Sequence, residues 1–412
     1  MTLDATLRMP RRVLFGRGAL AAAGRAVGDL GRRALVCTDE TILATPAGER
    51  LLASLSAAGV EARVFAETTP DVPLSCVEAC VAFARREPVD FVVGFGGGSC
   101  LDLAKVVALL LSHEGEELER FYGENQVNGP VLPVVGIPTT AGTGSEVTPV
   151  AVVSDPRRRL KVGVSSERLV PAVAICDPEA TIGCPPSVTG FAGIDALVHA
   201  VEAYCAPPRH NSWDAYPGDV FRGRDPLSAD YALRAAAHVG AALERAYAHG
   251  DDVDARERML FGSLCAGIAF AHAGTAAAHA LQYPIGAATH TPHGLGVGLL
   301  APYTLQAARP HADAALAELA GALGVAGGGD DAEATIAEIE RLGRAVGVPA
   351  SLAEIGVALE TLPGYAADAA GIERLVRNSP RPVGAPELLA ILRAAWSGNR
   401  FQLSEQIKET PA

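Results

Sequence analysis

Val93-Gly94-Phe95-Gly96-Gly97-Gly98-Ser99-Cys100-Leu101-Asp102-Leu103-Ala104-Lys105 is the stretch whose reading decides the fold. An apolar strand, Asp90-Phe91-Val92-Val93, runs into consecutive glycines. The chain leaves as a helix whose apolar residues Leu103, Val106, Val107 and Leu110 recur at helical spacing. Glycine at such a turn admits close backbone approach and positive φ. Free N–H groups at the start of the next helix, with its dipole behind them, favour a phosphate or pyrophosphate. Taken alone, the turn fits two readings, a bare βα connection and a pyrophosphate cradle.

Outward from this turn, residues 10–180 alternate short strands with helices, the pattern of a parallel, doubly wound sheet. Arg12 to Gly16 reads as an edge strand, Ala19 to Leu30 as an amphipathic helix, and Arg33 to Asp39 as a strand ending in a carboxylate. Glu61 to Phe65 and Pro133 to Pro138 are further strands and Ser75 to Arg86 a helix. The runs Val150 to Val153 and Ala172 to Cys176 close this half. From Pro185 strand-like runs vanish and helical periodicity persists to the end. The expected fold is α/β plus all-α, with a Rossmann-like parallel-sheet domain over 1–182 and a helical domain over 183–412. The boundary is placed where Gly183 and two prolines sit together. Pro207 to Pro226, rich in turn formers and aromatics, reads as an ordered excursion between two helices.

The 412 residues suffice for two domains and a large core. A net charge of −13, from 34 basic and 47 acidic residues, argues against a nucleic-acid or anionic-membrane surface. No window approaches the apolar run of roughly twenty residues that a transmembrane helix needs. The start, Met1 to Ala5, lacks the regions of a signal peptide. The eight cysteines form no CxxC pair and read as reduced thiols, so a cytoplasmic protein is expected.

Three groups of residues carry chemistry. Asp39, at the end of the second strand, is placed either to bind ribose hydroxyls or to cap the next helix. Pro138-Thr139-Thr140-Ala141-Gly142-Thr143-Gly144-Ser145-Glu146-Val147-Thr148 gathers hydroxyls between glycines just after a buried strand. Such a loop suits a sugar, a phosphate or a nicotinamide edge, and two small-residue loops after neighbouring strands strengthen the ligand reading. Asp195 and His199, spaced i, i+4, share a helix face, and His279 and His293 follow further along. One carboxylate and three imidazoles make an N/O donor set suited to Fe(II) or Zn(II). His272 and His290 compete with them on spacing alone.

These motifs resemble the iron-containing alcohol dehydrogenase family (group III dehydrogenases) over nearly the full length. Gly96 to Lys105 matches its GGGSxxDxAK loop, and Pro138 to Thr148 matches PTTAGTGSEVT residue for residue. Gly193-Ile194-Asp195-Ala196-Leu197-Val198-His199-Ala200 and Pro292-His293-Gly294 match its two metal segments, with His279 between them. The resemblance implies Asp195, His199, His279 and His293 as ligands of Fe(II), with Zn(II) the second choice. It implies that Gly96, Gly97, Gly98, Ser99 and Asp102 belong to the loop that holds the NAD(P) pyrophosphate. Thr139, Thr140, Thr143 and Lys161 would line the nucleotide site, and Asp39 would favour NAD over NADP. A homodimer or larger homo-oligomer is implied as well.

Tyr283 stands where many members carry a second histidine four residues after His279, so a tyrosine or water chain replaces a histidine proton relay. That variant is similar to the hydroxyacid–oxoacid transhydrogenases, an alternative activity on the same fold. Maleylacetate reductases share the fold but lack a complete metal set, which this chain keeps. The expected reaction is hydride transfer between a small alcohol and NAD. The surroundings Ala276 to Ala278, Ile285, Ala287 and Ala288 are small and apolar. An acidic substrate would need a cation, for which Arg209, Arg222 and Arg224 in the excursion are the candidates.

Overall fold

The computed structural model of the chain describes residues 5–158, 160–209 and 219–403. β1 (Arg12–Phe15) leads through a 3-10 turn, Ala19–Ala22, into the short α1 (Ala23–Ala26). The longer helix expected there is cut short by its glycines, which hold helix poorly. Gly24 presses on the third helix, and a Cβ there would lie 2.1 Å from the Ser54 carbonyl oxygen. β2 (Arg33–Cys37), α2 (Glu40–Leu43), α3 (Pro46–Ala57), β3 (Glu61–Phe65) and α4 (Leu74–Ala84) lead to β4 (Phe91–Gly96) and α5 (Gly98–Ser112). β5 (Gly123–Glu124), β6 (Val134–Pro138), β7 (Val150–Asp155), β8 (Leu160–Ser165) and β9 (Val173–Cys176) complete the strands.

Six strands form one sheet in the order β1-β9-β6-β4-β2-β3, every pair parallel. β1 lies at its edge, as expected. β4 is buried on both faces: Val92 joins Leu35, Leu103 and Val106 on one side, while Phe91, Val93 and Phe95 join Val36 and Val135 on the other. Gly94 makes the tight return possible, because a Cβ there would meet the Leu101 Cα at 2.8 Å. Register pairs Gly96 with Pro138, so both small-residue loops leave the sheet side by side.

β7 departs from the expectation. It leaves the main sheet, pairs antiparallel with β8, and with β5 forms a second sheet of three strands. Its residues alternate between half-buried and buried, so one face packs inward and the other faces a cleft. That alternation suits an antiparallel ribbon better than a strand buried on both faces.

The remaining chain is helical: α6 (Pro186–Cys205), α7 (Pro226–Ala248), α8 (Val253–Ala273), α9 (Ala277–Thr289) and α10 (His293–Leu323) are followed by α11 (Asp331–Ala345), α12 (Leu362–Ala370), α13 (Glu373–Val376) and α14 (Ala385–Ser397). α6 is central, packed by α7, α8 and α10. The seams are small: a Cβ on Gly193 would meet Leu243 Cδ1 at 2.4 Å. No single described helix is long and apolar enough to cross a membrane, and the apolar α8 and α9 meet at a bend of 102°. Residues 210–218 of the expected excursion lie outside the described residues.

The loop after β6 is anchored by buried charge. Lys105 donates from Nζ to the carbonyls of Thr148 (2.9 Å) and Val150 (2.7 Å). Burial lowers this ammonium to about 8 against the pull of Asp102 and Glu146. Burial likewise pushes the Glu146 carboxyl up to about 7 from its ordinary 4.5, and its Oε1 has no partner among the described residues. A carboxyl raised in the native state binds its proton more tightly folded than unfolded. Its contribution to stability is therefore lost as pH rises from about 4.5 through 7. Glu146→Gln is expected to stabilise the protein at pH 8 by about 2 kcal/mol, an order-of-magnitude value from the pKa shift. Near pH 4.5 it is expected to change stability little, which urea unfolding at the two pH values checks.

Candidate active site

α6 carries Asp195 and His199 on one face, buried at the centre of the helical half. The bend between α8 and α9 turns His279, near the start of α9, toward that face. His293 is the first residue of α10. Gly294 next to it lets α10 press on α6, since a Cβ there would lie 2.0 Å from the Phe191 carbonyl oxygen. The Nε2 atoms of His279, His199 and His293 converge on Asp195 Oδ1 at 3.5, 3.8 and 3.9 Å. His199 is stacked between the Phe270 and His279 rings, 4.3 and 4.7 Å away.

Glu202, one helical turn beyond His199, organises this cluster. Its Oε2 accepts from the backbone N–H of Ala276 (2.7 Å) and lies 2.6 Å from His279 Nδ1. Its Oε1 accepts from the Ala278 N–H at 2.8 Å. The carboxylate thus caps the start of α9 and draws the imidazole proton to Nδ1. His279 Nε2 then presents a lone pair to Asp195 Oδ1, and both atoms are buried without a hydrogen-bond partner. Two acceptors facing each other at 3.5 Å call for a cation between them.

The electrostatics agree. Burial would raise the Asp195 carboxyl, but His199, His293 and His279 outweigh it and hold it well below the usual carboxylate range. Burial lowers His199 to about 4 and His293 to about 3, so both are neutral lone-pair donors near neutral pH. His279 goes the other way: burial opposes its charge, yet Glu202 and Asp195 push it up to about 9, so without a metal a proton on Nε2 fills the gap to Asp195 that a bound cation would take. The site therefore favours positive charge where the imidazoles meet, and its N/O donors fit Fe(II) or Zn(II). The competing histidines fall away. His272 accepts from the Arg8 backbone N–H and faces the Ile268 carbonyl, and exposed His290 ends α9 with φ 55°.

A cleft of about 220 Å³ runs from Gly98 and Ser99 to this cluster, with Thr143 and Lys161 along its wall and Tyr283 at the imidazole end. Gly98 and Ser99 open α5, so their N–H groups have no partner within the helix. A Cβ on Gly98 would sit 2.7 Å from Thr143 Cγ2, so the glycine turn and the threonine loop are in contact. Thr139 is buried with its hydroxyl unpartnered, and Thr140 lies over Gly97. Gly96, at φ 148°, covers Cys100, whose thiol burial pushes up to about 12. Asp39 caps α2 through Oδ1, accepting from the Ile42 N–H at 2.9 Å. Asp102 lines the cleft, but its oxygens accept from Ser145 Oγ (2.7 Å) and the Val152 N–H (2.9 Å), so it braces the loop. Lys161 pairs with Asp71 at 2.6 Å.

The description "Iron-containing alcohol dehydrogenase" matches residues 10–178, and "Fe-containing alcohol dehydrogenase family, C-terminal" matches residues 189–396. The chain belongs to the iron-containing alcohol dehydrogenase family. It is thus an oxidoreductase of the type that acts on CH–OH groups. A similar protein is long-chain-alcohol dehydrogenase 1 of Geobacillus thermodenitrificans, 36% identical over 392 residues, covering 93% of this chain and 94% of the relative. The structure of a 1,3-propanediol oxidoreductase superposes with a TM-score of 0.87 at 31% identity, over 95% of this chain and all of that one. The sulfoacetaldehyde reductase of Bifidobacterium kashiwanohense, solved with NAD+, gives 0.82 at 26% identity over 96% and 99% of the two chains.

Several residues of this family member's site escape a reading of local motifs. Glu202 shares the α6 face of Asp195 and His199, a helical spacing that does signal it. Phe270 and Arg374 also line the cleft, but nothing in their surrounding sequence points there. Arg209, Arg222 and Arg224 do not line it. Arg209 instead holds Asn378, and Arg224 donates to the Tyr204 carbonyl. The apolar lining of the cleft is Phe270, Val150 and Val152, with Thr275 beside them, and none of Ala276 to Ala278, Ile285, Ala287 and Ala288 lines it. Glu202→Gln is expected to weaken retention of added Fe(II) by about 10- to 100-fold, as loss of a carboxylate behind a ligating imidazole does. Metal content after graded chelator treatment reads the effect.

Proposed function

We propose that this chain is an NAD-dependent, iron-dependent dehydrogenase that interconverts a small alcohol and its aldehyde or ketone. The observation that carries the reading is the buried pair of unpartnered acceptors, Asp195 Oδ1 and His279 Nε2, at the end of a cleft that begins on a glycine turn. Asp195, His199, His279 and His293 would hold Fe(II), with Zn(II) as the second choice. Residues 1–182 would carry the dinucleotide and 183–412 the metal. The eight cysteines, all free, support a reducing, cytoplasmic setting. A homodimer or larger assembly follows from the family resemblance.

Bound by these residues, the ion would supply Lewis acidity and the nicotinamide a hydride acceptor. The chain's own residues do the rest. Gly97, Gly98 and Ser99 fix the pyrophosphate at the start of α5. Thr139, Thr140 and Thr143 offer hydroxyls along the nucleotide path, and Lys161, paired with Asp71, lines the same cleft. Asp39, whose Oδ2 lies 4.0 Å from the Cys100 thiol beside the glycine turn, would repel a 2′-phosphate there. Phe270, Val150 and Val152 exclude water from the reacting end. The Tyr283 ring lies 6.0 Å from that of His293, and its hydroxyl makes no hydrogen bond among the described residues, so it is free to pass the alcohol proton outward.

Anaerobically purified, iron-loaded protein is expected to oxidise NADH with short aldehydes. Asp195→Ala and His279→Ala are expected to lose at least about 10³-fold in kcat/KM, in the range of losing a principal electrostatic stabiliser. Undiminished turnover in both variants would sink the metal assignment. In the same assay Asp39→Ser is expected to lower the preference for NADH over NADPH on the order of tenfold, since the repelling carboxylate is gone.

A further inference from the structure

Two cations line the cleft besides the imidazoles, and they differ in one respect. Lys161 already has a counter-charge in Asp71, at 2.6 Å. Arg374 has none: among the described residues it makes no ion pair and no hydrogen bond. Its guanidinium carbon lies 5.0 Å over the ring of Phe221, a fully buried residue. The neighbouring arginines are committed elsewhere. Arg377 pairs with Glu124 at 2.7 Å and Asp219 at 3.5 Å, and Arg209 reaches Asp219 at 3.7 Å.

The position of Arg374 is defined. α13, which carries it, packs against α9, the helix of His279 and Tyr283. Asn378, just beyond α13, donates from Nδ2 to the carbonyls of Ala273 (2.8 Å) and Thr275 (3.2 Å), stitching this segment to the bend that aims His279. On the other side a Cβ on Gly163 would lie 3.8 Å from Arg374 Nη2. Gly163 is the register partner of Val152, which lines the cleft. The guanidinium is thus held between an aromatic ring and a side-chain-free strand position at the imidazole end of the cleft. The pyrophosphate turn at Gly98 forms the other end.

We infer that Arg374 is a specificity-determining residue that anchors an acidic group, carboxylate or sulfonate, on the alcohol or aldehyde substrate. A guanidinium presents paired N–H donors that match such a group in two parallel hydrogen bonds. A half-buried cation with no partner is costly alone and is compensated when an anion enters. The cleft then sorts substrates by charge, with the reacting carbon toward Asp195 and its imidazoles and the acidic end toward α13. This rests on the dehydrogenase reading of the same cleft.

The test uses full-length, iron-loaded protein as wild type, Arg374→Gln and Arg374→Lys. NADH-linked reduction of 4-oxobutanoate is compared with that of butanal, which matches it in chain length without the acid. The ratio of kcat/KM for acid over neutral aldehyde is expected to fall on the order of 10- to 100-fold in Arg374→Gln, as for truncation of one partner in a paired charge. Arg374→Lys should recover part of that ratio, with the KM for NADH unmoved. An unchanged ratio overturns the inference. So does an equal loss for both aldehydes with a raised KM for NADH, which would give the guanidinium to the nucleotide. Succinate binding by calorimetry gives a readout independent of turnover. If the wild type reduces neither aldehyde, the dehydrogenase reading fails, and succinate binding alone then decides. Binding lost in Arg374→Gln supports the anion anchor, and binding retained overturns it.

Discussion

Two carboxylates on one face of α6, Asp195 and Glu202, are buried to within a few per cent, and the helical half is arranged around satisfying them. A carboxylate removed from water needs hydrogen bonds or positive charge. Glu202 obtains both from the start of α9, through two backbone N–H groups and the His279 ring. These three contacts hold the start of α9 against α6 and aim His279 Nε2 at Asp195. Asp195 is left facing three imidazole nitrogens instead of a fixed donor. One acid completes the fold and the other awaits a cation, so scaffold and site share one helix face.

The sheet half is joined to this centre by close backbone approaches that side chains would block. Gly142 of the threonine loop abuts Ala192 on α6, where a Cβ would come within 2.7 Å of the Ala192 Cβ. Gly144, at φ 59°, meets Gly267 on α8, and a Cβ on it would lie 2.4 Å from the Gly267 Cα. The threonine loop therefore rests directly on the helices that carry or flank the proposed ligand residues. Lys105 and Asp102 hold it from the opposite side through Thr148, Val150, Ser145 and Val152. Positioning of two reactants to fractions of an ångström is what such bracing provides.

What was legible in the sequence is what is local. The glycine turn, the apolar run of β4 and the Asp195/His199 pair each declare themselves within one or two helical turns or one strand. The parallel sheet follows from their alternation, and β1 falls at the edge as the pattern implies. Non-local partnerships were not legible. The run of β7 is too short to separate a seventh core strand from a ribbon strand, and only its pairing with β8 decides. Spacing could not choose between His279 and His272, because the choice is made by Glu202 on one side and by the Arg8 backbone on the other. The helix expected over Ala19 to Leu30 failed for the same reason, since Gly24 answers to Ser54 in α3 rather than to its own helical neighbours.

Arg374 extends that lesson to the cleft itself. It arrives from a four-residue helix far along the chain, with no motif around it, and it reaches the imidazoles' neighbourhood because Asn378 ties its segment to the α8–α9 bend. The charges in the cleft then fall into an order. Lys161 and Asp71 neutralise each other, Asp195 faces the imidazoles, and Arg374 leaves one positive charge without a counterpart at the imidazole end. With charges near each other in a half-enclosed space, screening by salt is weak and their placement acts on whatever enters. The proposed ligand residues come from motifs, but the sign of the cleft beyond them is set by one residue that the fold delivers from a distance.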